Sequence, residues 1–157
     1  MISARIRKNR RRGATAVETA LVLIPLLMFL FGIFEYGRLL MDWNLLNNAA
    51  REGGRYALAN NQDPTISTDV STIVTNYMAG RSTSFNGFTV SISGVSMSGS
   101  NAGTAYTGDG VNNLAPGDRI TVTVTGNYRF MNIIPTVSAS NAFLMSSSVT
   151  LMCEGGV

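Results

Sequence analysis

Side chains able to do chemistry are few in this sequence, and the shortage narrows the functions open to it. There is no histidine, one cysteine (Cys153) and one lysine (Lys8), so imidazole general-base catalysis and the usual thiolate–imidazole zinc sites are excluded by inventory. A single cysteine closes no internal disulfide. Schiff-base or serine–lysine chemistry would have to use Lys8, which lies in an arginine cluster near the start of the chain. Paired carboxylates remain, but Asp109 and Asp118 show no setting for acid–base work, and Asp109 with its nearby asparagines does not follow the spacing of a calcium loop. No catalytic residue, no metal ligand and no cofactor is therefore predicted. The residue whose position demands an explanation is Glu18, five positions past Gly13 and at the start of an apolar run. A carboxylate there costs free energy unless something meets it.

The distribution of charge says more than its sum. Six of the twelve basic residues (Arg5, Arg7, Lys8, Arg10, Arg11 and Arg12) precede Gly13, and all nine acidic residues follow it. From Ala14 onward six positive side chains stand against nine negative ones, a net of −3, although the whole chain is +3. A basic block can mark a nucleic-acid arm. This one has no interleaved aromatics and abuts a membrane-length apolar segment, so membrane topology accounts for it and no nucleic-acid partner is expected.

The element that must position Glu18 is a helix. From Ala20 to Phe34 there is no charged residue. Extended back to Ala14, the run reaches roughly 20 residues, or about 30 Å of helix, enough to cross the hydrocarbon of a bilayer. The basic cluster sets the N-terminus in the cytoplasm and everything past about Met41 outside. A secretory signal peptide would share the basic and apolar regions, but no small-x-small cleavage site follows; the run ends in Glu35, Tyr36 and Arg38 and continues as helix. Pro25 falls inside it and is expected to kink it. Glu18 and Glu35 lie about 26 Å apart along the axis at about 1.5 Å per residue, each near a hydrocarbon boundary, so snorkelling to the cytoplasmic headgroups is one way for Glu18 to be met.

Outside the membrane the helix carries Leu39, Trp43, Leu46, Ala50, Gly53 and Ala57 on one continuous face, at steps of four and three. Its distal half is alanine and glycine, which admits close approach of another backbone, either this chain's own sheet or a neighbouring subunit. The helix is expected to end near Asn60. Asp63-Pro64 then reads as a cap and first position of a short helix, with Ile66, Val70, Ile73 and Tyr77 on one face and Gly80 as its stop. Phe88, Val90 and Ile92 alternate, whereas Val95 and Met97 take the other parity, which predicts a bulge at Gly94. Residues 97–117 read as a mobile polar loop. After the Pro116-Gly117 turn, Ile120, Val122, Val124, Tyr128 and Phe130 share one parity and Thr121, Thr123 and Thr125 the other, the signature of a strand covered on one side. A last strand carries Phe143, Met145, Val149, Leu151 and Cys153 on one parity, with Cys153 as a small buried residue. The fold class is α+β: a long N-terminal transmembrane helix extending into a small extracytoplasmic domain with a short helix and an antiparallel sheet of about three or four strands.

Three stretches together resemble a known family. Gly13-Ala14-Thr15-Ala16-Val17-Glu18, after a basic leader and before an apolar helix, is similar to the class III signal of type IV pilin-like precursors. NNAAREGGRYAL (Asn47 to Leu58) and PGDRITVTVTGNYRF (Pro116 to Phe130) resemble the helix end and strand of TadE-like proteins, minor pseudopilins of the Tad (Flp-type) pilus machinery. The resemblance implies division into a cytoplasmic leader over 1–13, a transmembrane and extended helix over 14–60 and an extracytoplasmic domain over 61–157. It implies cleavage between Gly13 and Ala14 by a prepilin peptidase, and residence in a bacterial inner membrane as a single-pass protein. The partners it implies are other minor pseudopilins and pilin subunits, the Tad inner-membrane assembly platform and the lipid bilayer. Glu18 would meet the amine exposed on Ala14, within the chain or between chains, while Pro25, Trp43, Leu46, Ala50, Gly53 and Ala57 would serve helix packing in assembly. Glu18 is followed by Thr19 where major Flp pilins have Glu-Tyr, which fits a minor subunit. The competing reading is a signal-anchored envelope protein whose outer domain binds a ligand or protein without any filament.

Overall fold

The computed structural model describes residues 10–97, 99–130 and 142–153, with side chains from residue 13 onward. The chain divides into two compact units, one ending at Arg38 and one beginning at Leu39. One helix, α1 (Arg10–Ala59), contributes to both and continues as α-helix through Pro25. Proline there brings no N–H to the carbonyl of Leu21. The end of α1 at Ala59 agrees with the polar sequence that follows it.

In the second unit α1 is followed by α2 (Ile66–Tyr77), a 3₁₀ turn (Arg81–Ser84) and four strands: β1 (Phe85–Val95), β2 (Ala105–Thr107), β3 (Arg119–Tyr128) and β4 (Phe143–Met152). They form one antiparallel sheet in the order β2-β1-β3-β4. The alternation in β3 fixes which side is covered: Ile120, Val122, Val124 and Tyr128 are buried, and the intervening threonines are only partly so. Thr89 and Thr125 share a hydrogen bond of 2.7 Å across the other face, and Thr121 and Thr150 one of 2.9 Å. Such hydroxyl pairs are what a solvated sheet face carries.

Both helices supply the cover. Leu46, Ala49, Ala50 and Ala57 of α1 and Ile66, Val70 and Val74 of α2 belong to one core with the inward residues of the sheet. Each large aliphatic buried there contributes about 1.5–3 kcal/mol. The small-residue stripe of α1 therefore faces the chain's own domain. A Cβ added at Gly53 would lie 2.6 Å from Val74 Cγ2 and 3.4 Å from Val122 Cγ1, a gap that only glycine leaves open. Trp43, expected on this face, is instead 37% exposed, and Asp42 takes the inward position.

Several local expectations are corrected. The inward face of α2 is Ile66, Val70, Val74 and Met78, while Ile73 is half-buried and Tyr77 exposed; steps of four kept Val74 against the core. Asp63 does not cap α2: its carboxylate accepts from Thr65 N and Oγ1, each at 2.9 Å, in a turn that precedes the helix. Gly80 does close the region in a left-handed conformation, at φ 80°. The bulge in β1 lies between Asn86 and Thr89, where Gly87 has φ 67°, and the register with β3 runs unbroken through Gly94. Gly94 occupies an inward position that Leu114 fills, so Val95 and Met97 point outward without any slip. The stretch 97–117 is not simply a loop. It includes the edge strand β2, which pairs with Ser93–Val95, and a 3₁₀ segment, Gly108–Asn113, whose Val111 is buried.

Candidate functional site

Asp109 and Asp118, the carboxylates weighed for acid–base work, are each engaged in holding backbone. Asp118 is 2% exposed; its Oδ1 accepts from Met97 N at 2.8 Å and from Ser96 Oγ at 3.2 Å, and its Oδ2 from Ala115 N at 2.8 Å. These donors, the Met97 and Ala115 amides foremost, hold its pKa below the ordinary 3.8 by favouring the charged form. Asp109 accepts from Ser67 N at 2.8 Å. It thus supplies the first turn of α2 with the cap that neither Asp63 nor Thr65 provides.

Sequence reasoning missed the pair formed by Asp42 and Arg81. Arg81 Nε and Nη2 both lie 2.6 Å from Asp42 Oδ1. Asp42 is fully buried, and its Oδ2 has no hydrogen-bond partner among the described residues. Extending the Leu46 face back by one turn reaches position 42, so the helical period held the signal. Cys153 is buried, and burial pushes its thiol pKa up, opposed by a hydrogen bond from the Asn61 side chain and helped by the nearby Asp118 charge. Among the described residues no cluster of histidine, cysteine, aspartate or glutamate could hold a metal ion.

What remains is the segment that begins at Gly13. Its helix contains a window long and apolar enough to cross a membrane, and none of that window is buried inside the protein. A core helix of a soluble domain would be covered; here Leu21 is 71% and Phe29 74% exposed. Gly13 and Ala14 are exposed helical residues, and Glu18 is likewise exposed, without a hydrogen bond or ion pair among the described residues. Thr19, its neighbour, turns its hydroxyl back to Thr15 O at 2.8 Å. Farther along, Pro25, Met28, Phe29, Gly32, Ile33 and Tyr36 line an apolar notch on one side of the helix. Glu35 is met by Arg38 at 2.8 Å, one turn on. Of the residues singled out for packing, Leu46, Ala50, Gly53 and Ala57 are gathered in the core of the second unit, Trp43 lies at its edge, and Pro25 lies in the exposed apolar stretch.

A family model described as TadE-like protein matches residues 13–55. No curated protein and no solved structure matches the chain. The matched residues open at Gly13, contain the whole exposed apolar stretch and close within the helix that covers the sheet. Over residues 13–55, then, the chain is similar to the TadE-like family, a family of pilus assembly proteins.

Proposed function

We propose that this protein is a minor pseudopilin of a Tad-type pilus, inserted in the bacterial inner membrane with residues 1–13 in the cytoplasm and the second unit outside. A prepilin peptidase cuts between Gly13 and Ala14, and the processed subunit acts in pilus assembly, its initiation or adhesion at the tip. It does so alongside other pilin subunits and the assembly platform. The observation that carries this reading is the exposed apolar stretch, which opens on Gly13 and Glu18 within the TadE-like match. After cleavage Ala14 bears an ammonium group in a region of low dielectric. Glu18 is the carboxylate that meets it, because an unpaired charge there is heavily penalised and a pair can specify register.

Expression of the chain with its cognate peptidase, followed by N-terminal sequencing of the protein recovered from membranes, tests the processing step. A mature chain starting at Ala14 is expected; one still starting at Met1, or starting well past Ala14, overturns it. Glu18→Ala tests assembly separately. The variant is expected to insert in the membrane and fail to support piliation. Normal piliation would instead favour an envelope protein that binds its partner without a filament.

A further inference from the structure

The two edges of the sheet are built very differently. At one side β2 spans only three residues, and the part of β1 beyond it carries the bulge at Gly87. Short strands and bulges are devices by which proteins keep an edge from pairing. At the other side β4 spans ten residues in unbroken register with β3, from Met152 opposite Arg119 to Phe143 opposite Tyr128. Its sequence, FLMSSSVTLM, contains no charged residue, no proline and no glycine. Among the described residues no strand pairs with its outer side. Phe143, Leu144 and Met152 are 47%, 62% and 55% exposed. Among the described residues this uncharged row of edge N–H and C=O groups is left unpaired by any strand, and another extended backbone is the protein partner that fits it.

The order of side chains points to a second copy of the same strand. Read outward from Ser147 in both directions, β4 gives Ser146 and Ser148, Met145 and Val149, Leu144 and Thr150, then Phe143 and Leu151. An antiparallel two-fold pairing centred on Ser147 sets Met145 against Val149 and Phe143 against Leu151 on the helix-covered side. On the hydroxyl side it sets Ser146 against Ser148. Because the centre falls on a residue, the covered face of one copy continues into the covered face of the other, with Leu144 set against Thr150 on the open side. Charge favours a copy as well. The edge carries no charge to oppose itself, and beyond Leu39 five arginines stand against seven carboxylates, so two domains repel each other little. We infer that β4 is a self-association edge, through which two copies join their sheets about a two-fold axis at Ser147. This inference does not depend on processing at Gly13 or on a pilus.

The test uses the full chain purified in detergent micelles, with self-association measured by light scattering over a dilution series. Wild type is expected to form a dimer. Ser146 and Ser148 are both exposed, and in the inferred register each faces the other across the axis. Ser146→Lys with Ser148→Lys therefore opposes like charges twice and is expected to weaken the dimer about tenfold. Ser146→Lys with Ser148→Glu places opposite charges in the same two positions and is expected to restore dimerisation to at least the wild-type level. Circular dichroism of both variants checks that they fold alike. A monomeric wild type overturns the inference. So does a dimer indifferent to both substitutions, which would be held elsewhere, and so does equal weakening by both, which would exclude this register.

Discussion

The two units of this chain use apolar residues in opposite ways. Before Arg38 the large aliphatic and aromatic side chains stand open, as with Leu21 at 71% and Phe29 at 74%; beyond Leu39, Leu46 and Ile120 are each 1% exposed and Tyr128 is fully covered. The second unit builds an internal core, with two helices on one face of a sheet. The first leaves a membrane-length stretch that only lipid or other helices can cover. Hydropathy alone does not separate these cases, since both regions are apolar; covered area does. The comparison also divides what substitutions can be expected to do.

The largest effect should come from Arg81→Ala. It leaves Asp42 buried without its cation, which costs roughly 3–5 kcal/mol, read as a fall in the thermal unfolding midpoint of the full chain in detergent. Adding Asp42→Asn should recover part of the loss by removing the stranded charge. An unchanged midpoint in Arg81→Ala would mean that the buried carboxylate does not depend on its partner. Leu46→Ala and Leu30→Ala then set the two units side by side. The first should cost about 2–5 kcal/mol through lost burial and a cavity. The second, at a residue 47% exposed, should leave domain unfolding within about 0.5 kcal/mol of wild type. Equal losses would break the contrast.

The smallest effect is an acid limb confined to the second unit. The carboxyls of Asp118 and Asp63 both lie below the ordinary 3.8 in the folded protein. Their stabilisation is complete above that value and fades as pH falls through the depressed folded values. The domain should therefore unfold at a constant midpoint from neutral pH down to about pH 5 and lose stability below about pH 4. Asp118→Asn should flatten that limb, because an amide does not titrate in this range, and lower stability at neutral pH, because it offers a single acceptor oxygen to donors that both carboxylate oxygens now meet. An unaltered limb in that variant would assign the acid sensitivity to other groups.

How far the sequence could be read follows from how far each signal reaches along the chain. The apolar run after Gly13 and the Ile-Val-Val alternation of β3 are written in neighbouring residues, and both emerged as expected. The features misplaced depend on distant partners. Asp42 looks wrong for a buried face until Arg81, 39 residues on, is brought against it. Gly94 looks like a break in phase because the side chain that fills its position belongs to Leu114. Asp63 has the local form of a cap, yet the cap of α2 comes from Asp109, 42 residues beyond Ser67. In α2 itself, Ile73 and Val74 are both apolar, and only the sheet beneath decides between them. At the amino-terminal end the order glycine, glutamate and apolar helix is likewise written in neighbouring residues, and the cleavage proposed there is what N-terminal sequencing tests.

Cys153 sits where the last strand is fastened: its carbonyl accepts from Gly117 N at 2.7 Å, and its amide donates to Asp118 O at 2.8 Å. It is also the chain's sole thiol, shielded and held in its poorly nucleophilic protonated form. A maleimide dye added to native membranes would therefore mark a subunit only after that fastening had let go. The molecule thus carries its own gauge of mechanical or thermal loosening, readable from one labelled band without introducing any foreign residue.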